Sequence, residues 1–521
     1  MKKENGRGAA GVQGQLEVKM KKHAAFSVLG LGNILALLLA LLPFASRLIY
    51  RSISIDTEIM INAPQEMLLS WLYHERPGLV VSKYLFGQTA FHYEMSIVFT
   101  LLFLAAACLV WQQALCRLAQ GKKGLCFLGL FPLFFLTHPA MTEQFHFLLQ
   151  SMEVAWAVFL CLAAVVLVSD LLTDGRRRWL WPVSLLAVVW SFSSYQALVA
   201  LYIAAAAALF LWQYDHTEED RDWWRLAIRQ VLFFLLGFCL SQAAAKAGLY
   251  LSTGSVRSAA YVAGMRKWGT KPAVECLRDL YHYGMRILTG QGVFYTLAYA
   301  AALLGTIGVV VYRFRRDRHR PGYLAYGTAG LILYLSPFLL PLYAGGPDQV
   351  RAQLTLSFTI AFGWCDLLSL LYKSFEKRRW LWGGTCLIAA FFIGWQYIQT
   401  VRLTNTAYQV YRRECELTEE LAEAIEKTGA PSSSPVYFAG RWSPLPAAGL
   451  VQGETIGWSF YEWDQEKECG STERILGLWR TLGYEYTAAS EKAETEDAPF
   501  WPSPGAVYRE GDLVIVKLPV P

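Results

Sequence analysis

A chain of 521 residues that is 55% hydrophobic, 14% aromatic and only 17% charged, with a mean hydropathy of +0.30, is too apolar for an ordinary soluble globule, whose charged share is about 25%. The formal net charge of +6 does not mark a nucleic-acid binder, because the basic residues stand in short clusters between apolar runs and form no continuous stripe. What remains is a polytopic membrane protein, with membrane lipids around it and no nucleic acid among its partners.

Residues 1–23 are polar and basic and read as a cytoplasmic N-terminal tail; they lack the cleavage pattern of a signal, so the apolar run that follows is expected to be retained. About twenty apolar residues cross a bilayer core as a helix. On that measure about eleven spans are predicted, at 24–47, 92–115, 125–137, 152–172, 179–191, 197–213, 228–251, 292–312, 323–342, 350–372 and 380–400, the third and fifth being short. Lys and Arg collect at alternate ends of these spans: in the N-terminal tail, then Arg117 with Lys122 and Lys123, Arg176 to Arg178, Arg221 with Arg225 and Arg229, Arg313 to Arg320, and Lys373 with Lys377 to Arg379. Basic loops stay in the cytoplasm, so the alternation predicts an N-terminus inside and a C-terminal segment outside.

The loops left outside are 52–91, 138–151, 191–196, 252–291 and 344–351. In the first, Met67, Leu68, Trp71 and Leu72 fall at helical spacing over 64–73 and predict an amphipathic helix at the interface. Beyond residue 400 the hydropathy collapses. A charged helix is expected over 405–428, strands over 435–439 and 513–518, and a helix over 474–482. The expected fold class is therefore an all-α polytopic membrane protein, its transmembrane domain spanning 24–400, with a small extracytoplasmic α/β domain over 401–521.

Asp56 and Glu58 stand just beyond the first span. Charge at a membrane edge is costly to keep, which favours function; a solvated surface pair or a helix cap is the plainer explanation. One carboxylate suits a general base that takes a hydroxyl proton, the other a group that orients it or holds a divalent cation. Arg76, in the run His74 to Gly78, suits a lipid phosphate or an anionic headgroup. His138, Glu143 and His146 offer metal ligands of no recognised spacing or, with Gln144, partners for sugar hydroxyls, and Tyr195 with Gln196 offers an aromatic face and an amide. Arg351, at the outer end of a span, runs against the positive-inside tendency and is a second phosphate candidate, with pairing to Asp348 as the alternative. Arg257, Arg266, Lys267 and Lys271 add base to the same side. The ten cysteines show no CxxC pair; a bond between Cys415 and Cys469 is conceivable if both are extracytoplasmic.

The segments SIDTE, ERPGLVVSKYLF, LTHPAMTEQFHF and FSSYQALVALYIA, with the closing FWPSPGAVYREGDLVIVKLP, resemble the bacterial glucosyltransferase II family, first associated with O-antigen modification. The resemblance implies a GT-C-like, inverting membrane transferase that moves glucose or another hexose from a polyprenyl-phosphate sugar to a cell-surface glycan or lipid acceptor. It implies a bacterial plasma-membrane location with the active site on the extracytoplasmic face. The acid of the first external loop, here Asp56 with Glu58 beside it, is the base the resemblance implies. Arg76 and Arg351 are assigned to the donor phosphate by their chemistry, and His138, Glu143, Gln144, Tyr195, Gln196 and Asp348 to sugar or acceptor. No metal site is assigned, and a divalent cation stays open as a cofactor. Two rivals remain: a transporter or flippase of lipid-linked sugars, favoured by Lys246 inside a span, and an assembly protein whose tail binds partners.

Overall fold

The computed structural model describes residues 30–119, 129–174, 179–217, 221–256, 264–317, 320–375, 377–431, 433–444, 449–495 and 498–519. The N-terminal tail, the starts of the spans expected from 24 and 125, and Lys122, Lys123, Arg176, Arg177, Arg178, Arg257 and Arg318 lie outside the described residues.

The chain is mostly helical. A first helix, α1 (Leu31–Ala45), leads into three short ones, α2 (Thr57–Asn62), α3 (Pro64–Tyr73) and α4 (Pro77–Leu85), before the long α5 (Tyr93–Leu118). Pro64 and Pro77 open α3 and α4, where a missing N–H costs nothing. Next come α6 (Leu130–Leu136), α7 (Pro139–His146), α8 (Leu148–Asp174), α9 (Leu180–Ser194), α10 (Leu198–His216), α11 (Trp223–Thr253), α12 (Ala273–Thr289) and α13 (Ala298–Asp317). The helices α14 (Tyr323–Leu335), α15 (Leu339–Ala344), α16 (Leu354–Ser374) and α17 (Arg379–Lys427) complete the set before the tail.

Among the described residues, eight helices are long and apolar enough to cross a membrane: Leu31–Leu48, Tyr93–Leu118, Leu148–Thr173, Leu198–His216, Trp223–Thr253, Tyr323–Ala344, Leu354–Ser374 and Trp380–Lys427. The spans expected at 179–191 and 292–312 are the shorter apolar helices Leu180–Ser194 and Ala298–Phe314. The span expected at 125–137 is described only as the seven residues of α6.

Helix α16 is the axis of the bundle, buried from Leu354 to Leu370. Trp364 stacks on Phe134 of α6 with ring centroids 5.5 Å apart and donates its indole N–H to the Ala298 carbonyl of α13. Helix α11 instead turns Leu232, Leu235, Leu236 and Leu240 outward, the composition of a face in contact with hydrocarbon.

Helix α17 runs 49 residues without a break, through the drop in hydropathy at residue 400. Its far end carries Leu417, Leu421, Ala422 and Ile425, which form the base of the tail's own core. Over them lie a helix, α18 (Thr472–Thr481), and a four-stranded sheet of β1 (Pro435–Ala439), β2 (Thr487–Ala488), β3 (Val507–Glu510) and β4 (Leu513–Lys517) in the order β2-β1-β4-β3. The pairing is parallel except between β3 and β4, which form a hairpin. Cys415 and Cys469 are both free thiols, so the bond considered between them is not formed. Cys415 lies on α17, where the Tyr411 hydroxyl is its hydrogen-bond partner.

Candidate functional site

The tail folds back onto the first loop. Asp56 begins α2 in the left-handed region, φ 68°, ψ −14°, a conformation that costs an L-residue energy and concentrates at functional positions. Its carboxylate accepts from Arg474 Nη1 at 2.8 Å, and the same nitrogen reaches Glu58 Oε1 at 2.5 Å. The other edge of the guanidinium, Nε and Nη2, is held by Asp464 Oδ2 at 3.0 and 2.8 Å. One buried arginine thus binds three carboxylates. Helix α18 comes this close because Gly477 faces α2: a Cβ there would stand 3.0 Å from Glu58 Cγ, and the Gly477 carbonyl accepts from Asn62.

The two acids differ in access. Glu58 is 2% exposed, whereas the Asp56 side chain keeps 37% of its surface. Burial pushes the Glu58 carboxyl up to about 7, against the pull of Arg474 and with the added push of Asp56. Of the pair, Asp56 is the one a substrate can reach.

A second group forms across α4, α8, α9 and the 344–353 turn. Arg76 lies over the Tyr195 ring, its Cζ 5.2 Å from the centroid, and donates to Gln196 Oε1 at 3.3 Å and Gln150 Oε1 at 3.4 Å. The Gln196 amide donates in turn to the carbonyls of His74 and Glu75, which fixes the loop that carries Arg76. Tyr195 also lies in the field of Arg351, Glu454 and Asp348; burial pushes its hydroxyl up to about 12, while Arg76 and Arg351 oppose the shift. Arg351 stacks on Phe147, Cζ 4.8 Å from the centroid, and Phe147 packs among Met60, Met67, Leu68 and Trp71 of α2 and α3. That apolar cluster joins the Asp56 helix to the Arg351 turn. Asp348 is held by Gln353 Nε2 at 3.1 Å, and burial pushes its carboxyl up to about 7.

Glu143, His138 and His146 have other partners. Glu143, fully buried, accepts from the backbone N–H of Glu454 at 2.6 Å and of Thr455 at 3.1 Å and from the Thr455 hydroxyl at 2.6 Å. Burial raises its carboxyl, and the Thr455 hydroxyl opposes the rise. His138 caps α7 by accepting from the Ala140 N–H through Nδ1, and burial holds its imidazole down at about 3, so it is neutral. His146 contacts Arg47, whose Nη1 also donates to the Phe145 carbonyl. Gln144 is fully buried, and among the described residues no hydrogen bond reaches its amide. Glu58 Oε1 is engaged by Arg474, and both Glu143 oxygens by the 454–455 segment. No three His, Cys, Asp or Glu among the described residues converge on a metal-sized space.

Lys246 is salt-bridged to Glu75 at 2.5 Å, which accounts for a charge inside a span. Sequence reasoning missed Arg474, Glu454 and Gln150. It also missed the fully buried ion pair of Lys83 on α4 with Glu153 on α8, 3.0 Å apart, with the ammonium 5.4 Å from the Trp71 ring. Lys83 sits among Val, Ser and Tyr, and nothing local separates it from a snorkelling lysine.

The site is thus a cluster of arginines and aromatics within apolar surroundings, joined through the apolar cluster of Met60 and Phe147 to the helix that begins at the half-open Asp56 carboxylate. No curated protein and no solved structure matches the chain. A family model described as "Glucosyl transferase GtrII" matches residues 45–365, from the end of α1 through most of α16, and the chain belongs to that glucosyltransferase family.

Proposed function

We propose that this membrane glucosyltransferase takes glucose, or another hexose, from a polyprenyl-phosphate donor and places it on a hydroxyl of a cell-surface glycan or lipid, with inversion at the sugar carbon. The observation that carries the reading is a pair of arginines on aromatic rings, Arg76 over Tyr195 and Arg351 over Phe147, with the charge of Arg351 felt at Tyr195. Two guanidiniums lodged on aromatic rings suit a phosphate whose hydrocarbon tail stays in lipid.

In this reading the acceptor oxygen attacks the anomeric carbon from the face opposite the phosphate. Its proton passes to Asp56, and the bond from the carbon to the phosphate oxygen breaks with its electrons on the phosphate. Arg76 and Arg351 stabilise the charge that develops there. Arg474 holds Asp56 in place, and Glu58 completes that ion cluster from its buried position. Tyr195, Gln196 and Asp348 line the sugar, and no step passes through a metal.

The GT-C-like architecture, the N-in and C-out orientation, the bacterial plasma membrane and an active site at its outer face belong to the same reading. So does the division into a tail at 1–23, a catalytic membrane domain at 24–400 and an outer domain at 401–521. The alternation of basic loops supports the orientation. The transport alternative leaned on Lys246, which its bridge to Glu75 explains without transport.

The test is transfer by purified protein in detergent, from polyprenyl-phosphate glucose to acceptor extracted from the cell surface and followed by mass analysis. Asp56→Asn is expected to lower turnover by about a hundredfold or more, the contribution of a general base, with the protein folded and inserted. Near-normal turnover by that variant would remove Asp56 from the role.

A further inference from the structure

The segment of chain just after residue 449 lies far beyond the family match, yet it is embedded in the membrane unit. Val451 and Ile456 pack into the main core of the bundle, and the Val451 N–H donates to Thr406 of α17 at 3.0 Å. Between them the chain turns, closed by a Gly453 N–H to Ile456 carbonyl bond of 2.8 Å. Glu143 grips this turn through the N–H groups of Glu454 and Thr455 and the Thr455 hydroxyl. The fit depends on glycine, since a Cβ at 453 would lie 2.1 Å from Glu143 Oε1 and 3.2 Å from the Phe294 ring.

The grip fixes where the next side chain goes. Glu454 reaches the turn before α16 and accepts from the Val350 N–H at 3.0 Å through Oε1 and from the Arg351 N–H at 3.4 Å through Oε2. Two carboxylates thus clasp two turns in succession: Glu143 holds 453–456, and Glu454 holds 350–351. At the end of this chain of contacts stands the backbone of Arg351, whose guanidinium lies on Phe147.

We infer that Glu454 is a positioning residue for the phosphate group of the donor: the C-terminal segment completes the site by fixing the backbone from which Arg351 reaches the anion. The inference rests on the phosphate reading of Arg351. A long side chain held at its backbone and steadied at its head by an aromatic ring loses less freedom when it meets an anion, so the effect belongs in donor binding more than in the chemical step. Glu454 also carries charge, and the two influences have opposite signs. A carboxylate acting through its field would repel the donor, so neutralising it would tighten binding; a carboxylate acting by position weakens binding when removed.

The test uses the full-length protein in detergent with polyprenyl-phosphate glucose, comparing Glu454→Ala, Glu454→Gln, Arg351→Ala and the double variant of Ala at both positions. The donor KM is expected to rise about tenfold in Glu454→Ala and by less in Glu454→Gln, which keeps one acceptor oxygen, with kcat within about threefold. In the Arg351→Ala background the Glu454 change is expected to add nothing, because it acts through Arg351. Additive losses, an unchanged KM, or tighter donor binding by Glu454→Gln would each overturn the inference. Hydrogen exchange over residues 346–353 gives an answer independent of the reaction. Faster exchange in both Glu454 variants supports the clasp, and unchanged exchange refutes it. If the wild-type protein transfers no sugar while exchange responds as expected, the donor reading fails and the clasp stands.

Discussion

Arg474 is the residue on which the first loop and the tail meet. It binds Asp56, Glu58 and Asp464 at once while only 9% exposed, so its removal would strand the buried Glu58 carboxylate without a counter-charge. The acids were legible in the sequence because carboxylates beside an apolar run are rare and costly. Their partner was not, since 416 residues separate Glu58 from Arg474 and an arginine in an amphipathic helix reads as a solvated face. Glu143 was visible for the same reason as the acids, and what the sequence did not reveal is its grip on the backbone N–H groups of Glu454 and Thr455. Asp348 carries a pH prediction. Its folded-state carboxyl is raised, with burial as the leading cause, so the folded protein holds that proton more tightly than the unfolded chain. The stability this contributes is complete below the ordinary carboxylate value near 4 and is lost as pH rises through about 7. Melting temperatures of wild type and Asp348→Asn are therefore expected to diverge in favour of the variant from pH 5 to pH 8. A constant difference across that range would show that Asp348 does not titrate there.

The spacing of apolar residues placed most of the long helices, because crossing a bilayer and forming a bundle core both require unbroken apolar runs. It placed α3 at Pro64–Tyr73 for a related reason: Met67, Leu68 and Trp71 share the face that turns inward. At α17 it placed both halves, the span at 380–400 and the charged helix at 405–428, and missed that they form one unbroken helix, because hydropathy falls at residue 400 while helix-forming Arg, Glu, Leu and Ala continue to Lys427. Polarity and helical propensity are separate properties, and only the first changes there. The short α4 shows a different limit. Its attachment to α8 depends on Lys83 and Glu153, both without exposed side-chain surface, and a buried pair resists loss of one partner far more than replacement of both. Lys83→Met alone is expected to cost about 3–5 kcal/mol by leaving Glu153 unpaired. The double variant Lys83→Met with Glu153→Leu is expected to recover most of that loss, as read by thermal melting in detergent. Equal melting of the single and double variants would mean that the pair is not what fastens α4.

At the scale of the whole molecule, the family match and the assembled site do not have the same extent. The match covers residues 45–365, but that segment leaves the Glu58 and Glu143 carboxylates facing groups that come only from the tail: Arg474 for the first, the 453–456 turn for the second. The tail's core in turn includes Ile55 of the first loop and Leu417, Leu421 and Ile425 of α17, so tail and membrane unit share a hydrophobic core and not merely a covalent link. An appendage that served only to bind partners would need neither buried ion clusters nor apolar packing against the first loop. Deletion of residues 428–521 is therefore expected to leave a chain that still inserts, because its apolar helices are intact, but whose two stranded carboxylates rearrange the first loop and the α7 end. Transfer should fall by about a hundredfold or more, comparable to loss of the proposed base, and the melting transition should broaden as the exposed end of α17 frays. Insertion is checked by extraction and size-exclusion in detergent, and activity by the same transfer assay used for Asp56→Asn. Full-rate transfer by the truncated chain would assign the tail to partner binding and would place the whole reaction within the family-matching segment. Loss of activity with insertion preserved would instead make the C-terminal segment part of the enzyme, since the membrane bundle alone does not hold Asp56 and Arg351 in place.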